Sequence, residues 1–289
     1  MIRYTHADYL RRWAKERDFD MKKVKIAFIG VGNMASAIIG GVAEDGISHS
    51  DVILFDHHPV KTAPFKTQGY TVASSAVDAT EQSDIIVLAT QPQSFPELLS
   101  ELGTAQLDGK CFVSIAAGIK TETVCSGLGK EVPVIRVMPN APLRIGKGAT
   151  AVTRNSSVSE ADFRLICRIF SRMGEIIILP EDKMNEIISV TGSSPAYVYL
   201  FIKSIIDAAR EQGIEADEHQ LRNIVCRTVI GSAELMMHSD LTAEQLLDAV
   251  QTPGGTTEPA VQTLIKRGMP EIIAEAMRAC TDRAYELGK

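Results

Sequence analysis

The sequence predicts an α/β fold in which a doubly wound parallel sheet is followed by an all-helical domain. Short apolar runs alternate with helical stretches as far as Pro180, and beyond it apolar residues recur only at helical spacing. The length of 289 residues is about twice that of a usual domain. We therefore expect an N-terminal extension at 1–23, a first domain at 24–180 and a second at 181–289.

Strands are predicted where a short run is apolar on both faces, as in parallel strands that helices cover on both sides. The runs are Lys25–Ile29, Val52–Phe55, Ile85–Ala89, Cys111–Ala116 and Val134–Met138. Two more runs, Thr150–Thr153 and Ile176–Leu179, flank a helix that begins near Ser159 and are expected to extend the sheet. The alternation with helices implies right-handed crossovers, so the carboxyl ends of the strands meet at one edge.

Helical spacing in the second domain predicts a series of helices. They cover 182–189, 195–212, 217–238, 242–250, 257–267 and 270–287. The helix that begins near Pro195 is apolar almost all round, which is typical of a helix buried on every side. Either a second subunit or the first domain of the same chain could bury this helix, and the pattern fits both alternatives equally.

Composition excludes several classes of protein. The net charge of -6 leaves no positive surplus to hold nucleic acid, and each strongly apolar stretch ends too soon to cross a membrane. Five scattered cysteines without a C-x-x-C pair argue against a disulfide framework or a zinc site and favour a reducing compartment, the cytoplasm. The first 20 residues mix acids and bases, unlike a signal or transit peptide. They predict a short polar helix, or an artefact if translation starts at Met21.

A glycine turn directly follows the first predicted strand and opens a helix. It has the form G-x-G-x-x-A, with Gly30 for the tight turn, Gly32 for close approach of a pyrophosphate and Ala35 for close packing of helix on strand. Asn33 and Met34 begin the helix, whose N-terminal N–H groups attract phosphate. The turn predicts a Rossmann-type dinucleotide site; the alternative is a glycine-rich turn without a ligand.

Asp56 ends the second strand, where an acid accepts a hydrogen bond from the ribose 2′-hydroxyl and repels a 2′-phosphate. Taken alone it favours NAD. His57, His58 and Lys61 follow and can offset the charge of a phosphate. At this point the choice of nicotinamide cofactor stays open, as does the reading of Asp56 as a loop acid without a ligand.

Small and polar residues follow the third, fourth and fifth predicted strands at the same sheet edge. The candidates for cofactor contact there are Ala89, Gln91, Pro92, Ala116, Ala117, Gly118 and Asn140. Small residues at 116–118 leave room for a flat nicotinamide ring, and Asn140 can hydrogen-bond its amide or ribose. Ordinary strand-to-helix turns explain the same residues equally well.

Two turns rich in glycine and hydroxyls precede helices of the second domain. They are T-G-S-S-P-A-Y at 191–197 and T-P-G-G-T-T at 252–257. Both present N–H groups and hydroxyls at the positive end of a helix, which suits a small carboxylate. The alternative is N-capping by Ser193, Ser194 or Thr256.

Four motifs together resemble the pyrroline-5-carboxylate reductase family in order and spacing. They are F-I-G-V-G-N-M-A at 28–35, R-V-M-P-N at 136–140 and the two turns at 191–197 and 252–257, and the likeness covers about residues 24–287. The resemblance implies a helical dimerisation domain that interleaves with a second subunit, with a decamer as a larger assembly. It also implies reduction of the cyclic imine 1-pyrroline-5-carboxylate to L-proline by NADPH, with NADH as the alternative that Asp56 suggests.

The resemblance implies roles for particular residues. Gly254, Gly255, Thr256 and Thr257 would hold the substrate carboxylate, and the catalytic Thr257 hydroxyl would face the ring nitrogen. Ser193 and Ser194 would line the same pocket. Gln91 departs from the family pattern, in which many relatives have lysine, and Asp56 is unusual where NADPH is the common cofactor.

Imine reduction needs no strong general acid, because an imine nitrogen arrives protonated or takes a proton from water. This agrees with candidate turns that contain hydroxyls and glycines but no histidine or lysine. A β-hydroxyacid dehydrogenase instead needs a lysine with an asparagine four residues on, whereas Lys203 is followed by Asp207. A dinucleotide-sensing protein without catalysis is a further alternative, and it would not need an intact T-P-G-G-T-T turn. No metal ligands are expected.

Overall fold

The computed structural model describes residues 24–288, so the helix predicted within 1–23 lies outside the described residues. Two compact units divide the chain. The first contains 24–193 together with 280–288, and the second contains Ser194–Ala279. The last helix of the chain therefore belongs partly to each unit.

One sheet of eight strands organises the first unit. The strands are β1 (Ile26–Ile29), β2 (Val52–Phe55), β3 (Thr71–Val72), β4 (Ile85–Leu88), β5 (Cys111–Ser114), β6 (Val134–Met138), β7 (Gly148–Arg154) and β8 (Gly174–Ile178). Their order is β3-β2-β1-β4-β5-β6-β7-β8. All neighbours pair in parallel except β6 and β7, which pair antiparallel. The predicted doubly wound sheet is confirmed, and so is its extension by the two later strands.

Helices connect these strands and make up the second unit. The first unit has α1 (Asn33–Glu44), α2 (Pro59–Lys66), α3 (Ala76–Glu81), α4 (Phe95–Leu102), α5 (Thr121–Leu128) and α6 (Glu160–Arg172). The rest of the chain has α7 (Ser194–Glu211), α8 (Glu218–His238), α9 (Ala243–Ala249), α10 (Thr257–Lys266) and α11 (Met269–Leu287). The five helices predicted from 195 to 287 are confirmed to within about two residues at each end.

The sheet is apolar on both faces because helices cover both. In β1, Ile26 and Phe28 pack into the core on the side of α1 and α6, and Ala27 and Ile29 into the core on the side of α4 and α5. Successive side chains of a strand point to opposite faces, so the continuous apolar run supplies both cores. This packing fixes the carboxyl edge where the candidate residues lie.

Three details differ from the sequence expectation. β3 has two residues, too few for a recognisable apolar pattern. β7 runs antiparallel to β6 because the connection at 139–147 is shorter than the dozen residues that a parallel crossover needs. The helix expected at 182–189 is instead a short 3-10 helix, Glu181–Lys183, followed by a π-helix, Ile188–Gly192.

The helical unit leaves much of its apolar surface uncovered. No residue of α7 is buried, and Tyr199 and Leu200 are 60% and 63% exposed. The helical unit alone therefore does not bury this helix on every side, contrary to the expectation from the sequence. Apolar surface of this extent on one helix marks an interaction face.

All five cysteines are free thiols. Burial raises the pKa of the Cys167 thiol to about 12, so this side chain stays protonated and packs as a small apolar group. Within residues 24–288, no helix is both long and apolar enough to span a membrane.

Candidate functional site

The glycine turn joins the ends of three strands. The N–H of Gly30 donates to the carbonyl of Phe55 over 2.8 Å, and its φ of +96° is one that side chains rarely tolerate. A Cβ at Gly30 would lie 2.9 Å from the carbonyl oxygen of Ala89. Gly30 is therefore required by the packing of β1 against β4.

Gly32, unlike Gly30, has free space beside its backbone. A Cβ added there would meet no atom within 4 Å, so the bare backbone faces free space. Gly32 is the N-cap of α1, has no side chain to cap it, and no acid occupies the first turn. Asn33 and Met34 therefore begin a helix whose positive N-terminal end attracts anions. This geometry fits the binding of a pyrophosphate.

Asp56 is bound to the glycine turn from within the chain. Its Oδ2 accepts hydrogen bonds from the N–H of Val31 at 2.8 Å and the ammonium of Lys61 at 3.1 Å, and its Oδ1 accepts from the N–H of His58 at 2.9 Å. Burial alone would raise the pKa of this carboxyl, but these three donors outweigh burial and hold the pKa below its usual value. Asp56 is thus an ionised clamp on the turn.

Thr90 is a candidate that the sequence reasoning did not single out. Its hydroxyl oxygen is buried and has no hydrogen-bond partner within the described residues. It lies at the carboxyl end of β4, where its Cγ2 would be 3.2 Å from a Cβ on Gly30. Unpaired buried hydroxyls are uncommon, so this one is a candidate hydrogen-bond partner for a ligand at the same edge. Gln91, next along the chain, is exposed, and Pro92 begins a short 3-10 helix.

The turn at 116–118 packs against the end of the chain. Gly118 has φ +81°, and a Cβ there would lie 2.5 Å from the carbonyl oxygen of Ala284. A Cβ on Gly288 would likewise collide with the carbonyl of Gly118. The small size of Gly118 therefore has a packing cause, while Ala117 is partly exposed beside it.

Both polar atoms of the Asn140 side chain form hydrogen bonds within the first unit. Its Nδ2 donates to the carbonyl of Thr191 over 3.1 Å, and its Oδ1 accepts from the N–H of Ala149 over 2.9 Å. The end of β6 is thereby tied to the T-G-S-S turn. These bonds give Asn140 a structural role that the sequence did not reveal.

The T-G-S-S turn is the exit of the π-helix. The N–H of Ser193 donates to the carbonyl of Ile188 over 2.8 Å, so it is not free for a ligand as the sequence suggested. The hydroxyl of Ser193 lies 3.1 Å from the thiol of Cys280, and Ser194 begins α7. The hydroxyls of this turn therefore remain as candidate ligand groups, whereas the amide of Ser193 does not.

The T-P-G-G-T-T turn precedes α10 in the helical unit. Thr256 occupies the N-cap position, but its hydroxyl makes no capping bond, so the N-capping alternative is not observed for Thr256. The N–H of Gly254 donates to Glu258 over 3.0 Å, and that of Gly255 to the carbonyl of Thr252 over 2.8 Å. Within residues 24–288, no hydrogen bond occupies the N–H groups of Thr256 and Thr257.

The predicted cofactor residues thus share one sheet edge in the first unit, and Ser193 belongs to the same unit. Ser194 and residues 254–257 belong to the helical unit. Groups of acidic, histidine and cysteine side chains that could hold a metal ion do not occur among the described residues.

Comparison with known proteins gives matches to both parts of the chain. Residues 181–287 match the family model for pyrroline-5-carboxylate reductase dimerisation, and residues 25–118 match that for NADP oxidoreductase, coenzyme F420-dependent. The first match supports self-association of this chain.

Several curated relatives and solved structures that match along most of the chain are pyrroline-5-carboxylate reductases. The chain is 34% identical over 267 residues to pyrroline-5-carboxylate reductase of Escherichia coli, covering 92% of this chain and 98% of the relative. It is 33% identical over 263 residues to the enzyme of Pisum sativum, covering 91% and 95%. A crystal structure of Plasmodium falciparum pyrroline carboxylate reductase with NADP bound has a TM-score of 0.85 at 28% identity, covering 93% of this chain and all of that one. This chain belongs to the pyrroline-5-carboxylate reductase family.

Proposed function

We propose that this chain is an oxidoreductase of proline biosynthesis that reduces 1-pyrroline-5-carboxylate to L-proline with NADPH. The bound nicotinamide supplies a hydride to the imine carbon, the C=N π bond breaks, and the nitrogen, already protonated or protonated by water, becomes the ring amine. The observation that carries the proposal is the T-P-G-G-T-T turn, with its uncapped Thr256 and unbonded amides, in a chain of this family.

The residues of the sheet edge would hold the cofactor. The start of α1 after Gly32 would take the pyrophosphate, since nothing fills the space at that glycine. The unpaired hydroxyl of Thr90 would give the nicotinamide half a hydrogen-bond partner. Ala117 and Gln91 would border the ring and ribose. The contacts of Asn140 support a positioning role for it at this edge, beside the contact role expected from the sequence.

Two features support NADPH over NADH. Both oxygens of Asp56 already accept internal hydrogen bonds, so the carboxylate has little capacity left for a ribose 2′-hydroxyl. Its charge is offset by Lys61, and His57 and His58 are exposed beside it. Lys61, together with these two imidazole side chains as hydrogen-bond donors, suits a 2′-phosphate. NADH is the alternative cofactor, and a turnover assay compares it with NADPH.

The substrate would be bound by the turn before α10. The amides of Thr256 and Thr257 would hold the carboxylate at the positive end of that helix, with Gly254 and Gly255 shaping the turn. The Thr257 hydroxyl would orient the ring nitrogen, and Ser193 and Ser194 would complete the pocket. Catalysis then rests on holding the two reacting carbons about 3–3.5 Å apart.

The same proposal covers the organisation of the protein. Residues 24–180 would bind the nucleotide, and 181–289 would bind substrate and interleave with a second subunit, with a decamer as the larger assembly. Apolar side chains exposed along α7 support such a partner. The five free cysteines are compatible with a cytoplasmic location.

Loss of absorbance by NADPH and NADH in the presence of pyrroline-5-carboxylate tests the function. We expect turnover with a preference for NADPH. Absence of turnover with both cofactors would sink the reductase, and turnover of a β-hydroxyacid instead would select the dehydrogenase alternative. Lys203 argues against that alternative, because it is exposed and paired with Asp207 at 2.5 Å.

A further inference from the structure

Arg136 is a buried cation that the reaction itself does not use. It points from the middle of β6 into the protein, and its side chain is only 1% exposed. One guanidinium nitrogen donates to Glu181 over 3.2 Å and another to Asn185 over 2.6 Å. A buried charge must be paired in this way, because removal from water is otherwise very costly. Both partners lie in the segment 181–193 that follows β8.

Glu181 carries the connection further. Its Oε1 also accepts the N–H of Thr121 over 3.2 Å, and its Oε2 accepts the Thr121 hydroxyl over 2.9 Å. Thr121 is the first residue of α5, so the carboxylate lies at the positive end of that helix. Residues 116–118 form the turn just before α5. Glu181 therefore links β6, the start of α5 and the segment 181–193.

The other end of the same segment is also held by β6. Asn140, just beyond the strand, binds the carbonyl of Thr191 over 3.1 Å. Thr191 lies within the π-helix Ile188–Gly192, an uncommon geometry found often at functional sites. The R-V-M-P-N motif thus grips the segment at two points, through its first and last residues.

We propose that Arg136 and Glu181 are positioning residues of the reductase, which set the turn at 191–193 relative to the cofactor turn at 116–118. The inference rests on the proposed function, in which these two turns border the substrate and the nicotinamide. Neither residue touches the reacting atoms. Hydride transfer is sensitive to their effect because a displacement of about 1 Å can cost roughly a hundredfold in rate.

Glu181→Gln is the variant that tests this role, since it keeps the size of the side chain and removes its charge. We expect kcat to fall at least about tenfold and the kinetic isotope effect with NADPH deuterated at the transferred position to rise, because hydride transfer becomes more strongly rate-limiting. The Kd of NADPH, from its fluorescence, should stay within about twofold. Asp182→Asn is the matched control: its side chain is 74% exposed, and both kcat and isotope effect should match the wild type.

A purely structural role gives a different result. Loss of folded enzyme lowers kcat in proportion to the active fraction but leaves the isotope effect and KM unchanged. That outcome would overturn the proposal. A kcat of Glu181→Gln within twofold of wild type would also overturn it. If Glu181→Gln does not fold, Thr121→Val removes one hydroxyl from the network, and a raised isotope effect is again the expected result while an unchanged one overturns it. Wild-type enzyme without turnover would instead contradict the proposed function, so the two failures are distinct.

Discussion

Thr257 is the side chain with the most direct role in the proposed reaction, since its hydroxyl would orient the ring nitrogen. Thr257→Ala should lower kcat by about 10- to 100-fold, the loss of one well-placed hydrogen bond in the transition state. The Kd of NADPH should be nearly unchanged, because the hydroxyl has no role in cofactor binding. Thr263→Ala, in the same helix, removes a hydroxyl that donates to the carbonyl of Pro259 and serves as the control. Equal losses of turnover and cofactor affinity would remove Thr257 from the substrate site.

Gly32 allows a test of cofactor binding that does not disturb the fold. Gly32→Val should abolish NADPH binding, because a side chain there enters the space proposed for the pyrophosphate, while its Cβ meets no protein atom within 4 Å. Fluorescence titration with NADPH measures it. Gly40→Val is the matched control, since that glycine of α1 is exposed and a Cβ there also meets nothing within 4 Å. Binding by Gly32→Val that equals the control would contradict the site.

Asp56 should make stability depend on pH in a predictable direction. Its pKa is lowered in the folded chain, so it stabilises the fold above its unfolded pKa of about 3.9 and loses that effect as the pH falls through the folded pKa. Asp56→Asn should therefore lower the thermal midpoint at pH 7, with a difference from wild type that shrinks below about pH 4. Thermal unfolding from pH 7 to 3 measures it. A difference that stays constant with pH would show that the charge of Asp56 is not what holds the turn.

At the scale of elements, the end of α11 and the turn at 116–118 pack backbone against backbone. Gly118→Ala should destabilise the protein by about 2 kcal/mol more than Gly129→Ala. Both glycines have positive φ, so both changes strain the backbone, but a Cβ at Gly129 meets nothing whereas one at Gly118 lies 2.5 Å from the carbonyl of Ala284. Chemical denaturation of the two variants makes the comparison. Equal destabilisation would mean that the end of α11 is not firmly docked on this turn.

The sequence predicted elements whose signals are local. The strands and the helices from 195 onward follow from apolar periodicity, and Gly30 and Gly32 from a turn with a stereochemical cause. Asn140 and Arg136 were different, because their partners lie tens of residues away and no local pattern reveals them. Thr90 was missed for a related reason: an unpaired hydroxyl becomes visible only when its surroundings are known.

At the scale of the whole molecule, the exposed face of α7 argues for association. Leu200→Asp places a charge on a side chain that is 63% exposed in the chain and that a partner subunit would bury, at a cost of several kcal/mol. We expect the variant to shift toward smaller species in sedimentation velocity while its far-ultraviolet circular dichroism stays unchanged. Val60→Asp, at a position of α2 that is 78% exposed, should leave the assembly unaffected. An assembly unchanged by Leu200→Asp would exclude this face from the interface.

Transfer of isotope from cofactor to product is a direct test of hydride transfer from NADPH to the imine carbon. NADPH carrying deuterium at the transferred position of the nicotinamide would be incubated with the enzyme and pyrroline-5-carboxylate, and the proline analysed by mass spectrometry. We expect proline with one deuterium, at the carbon that had been the imine carbon. Proline without the label, or no proline at all, would contradict this expectation.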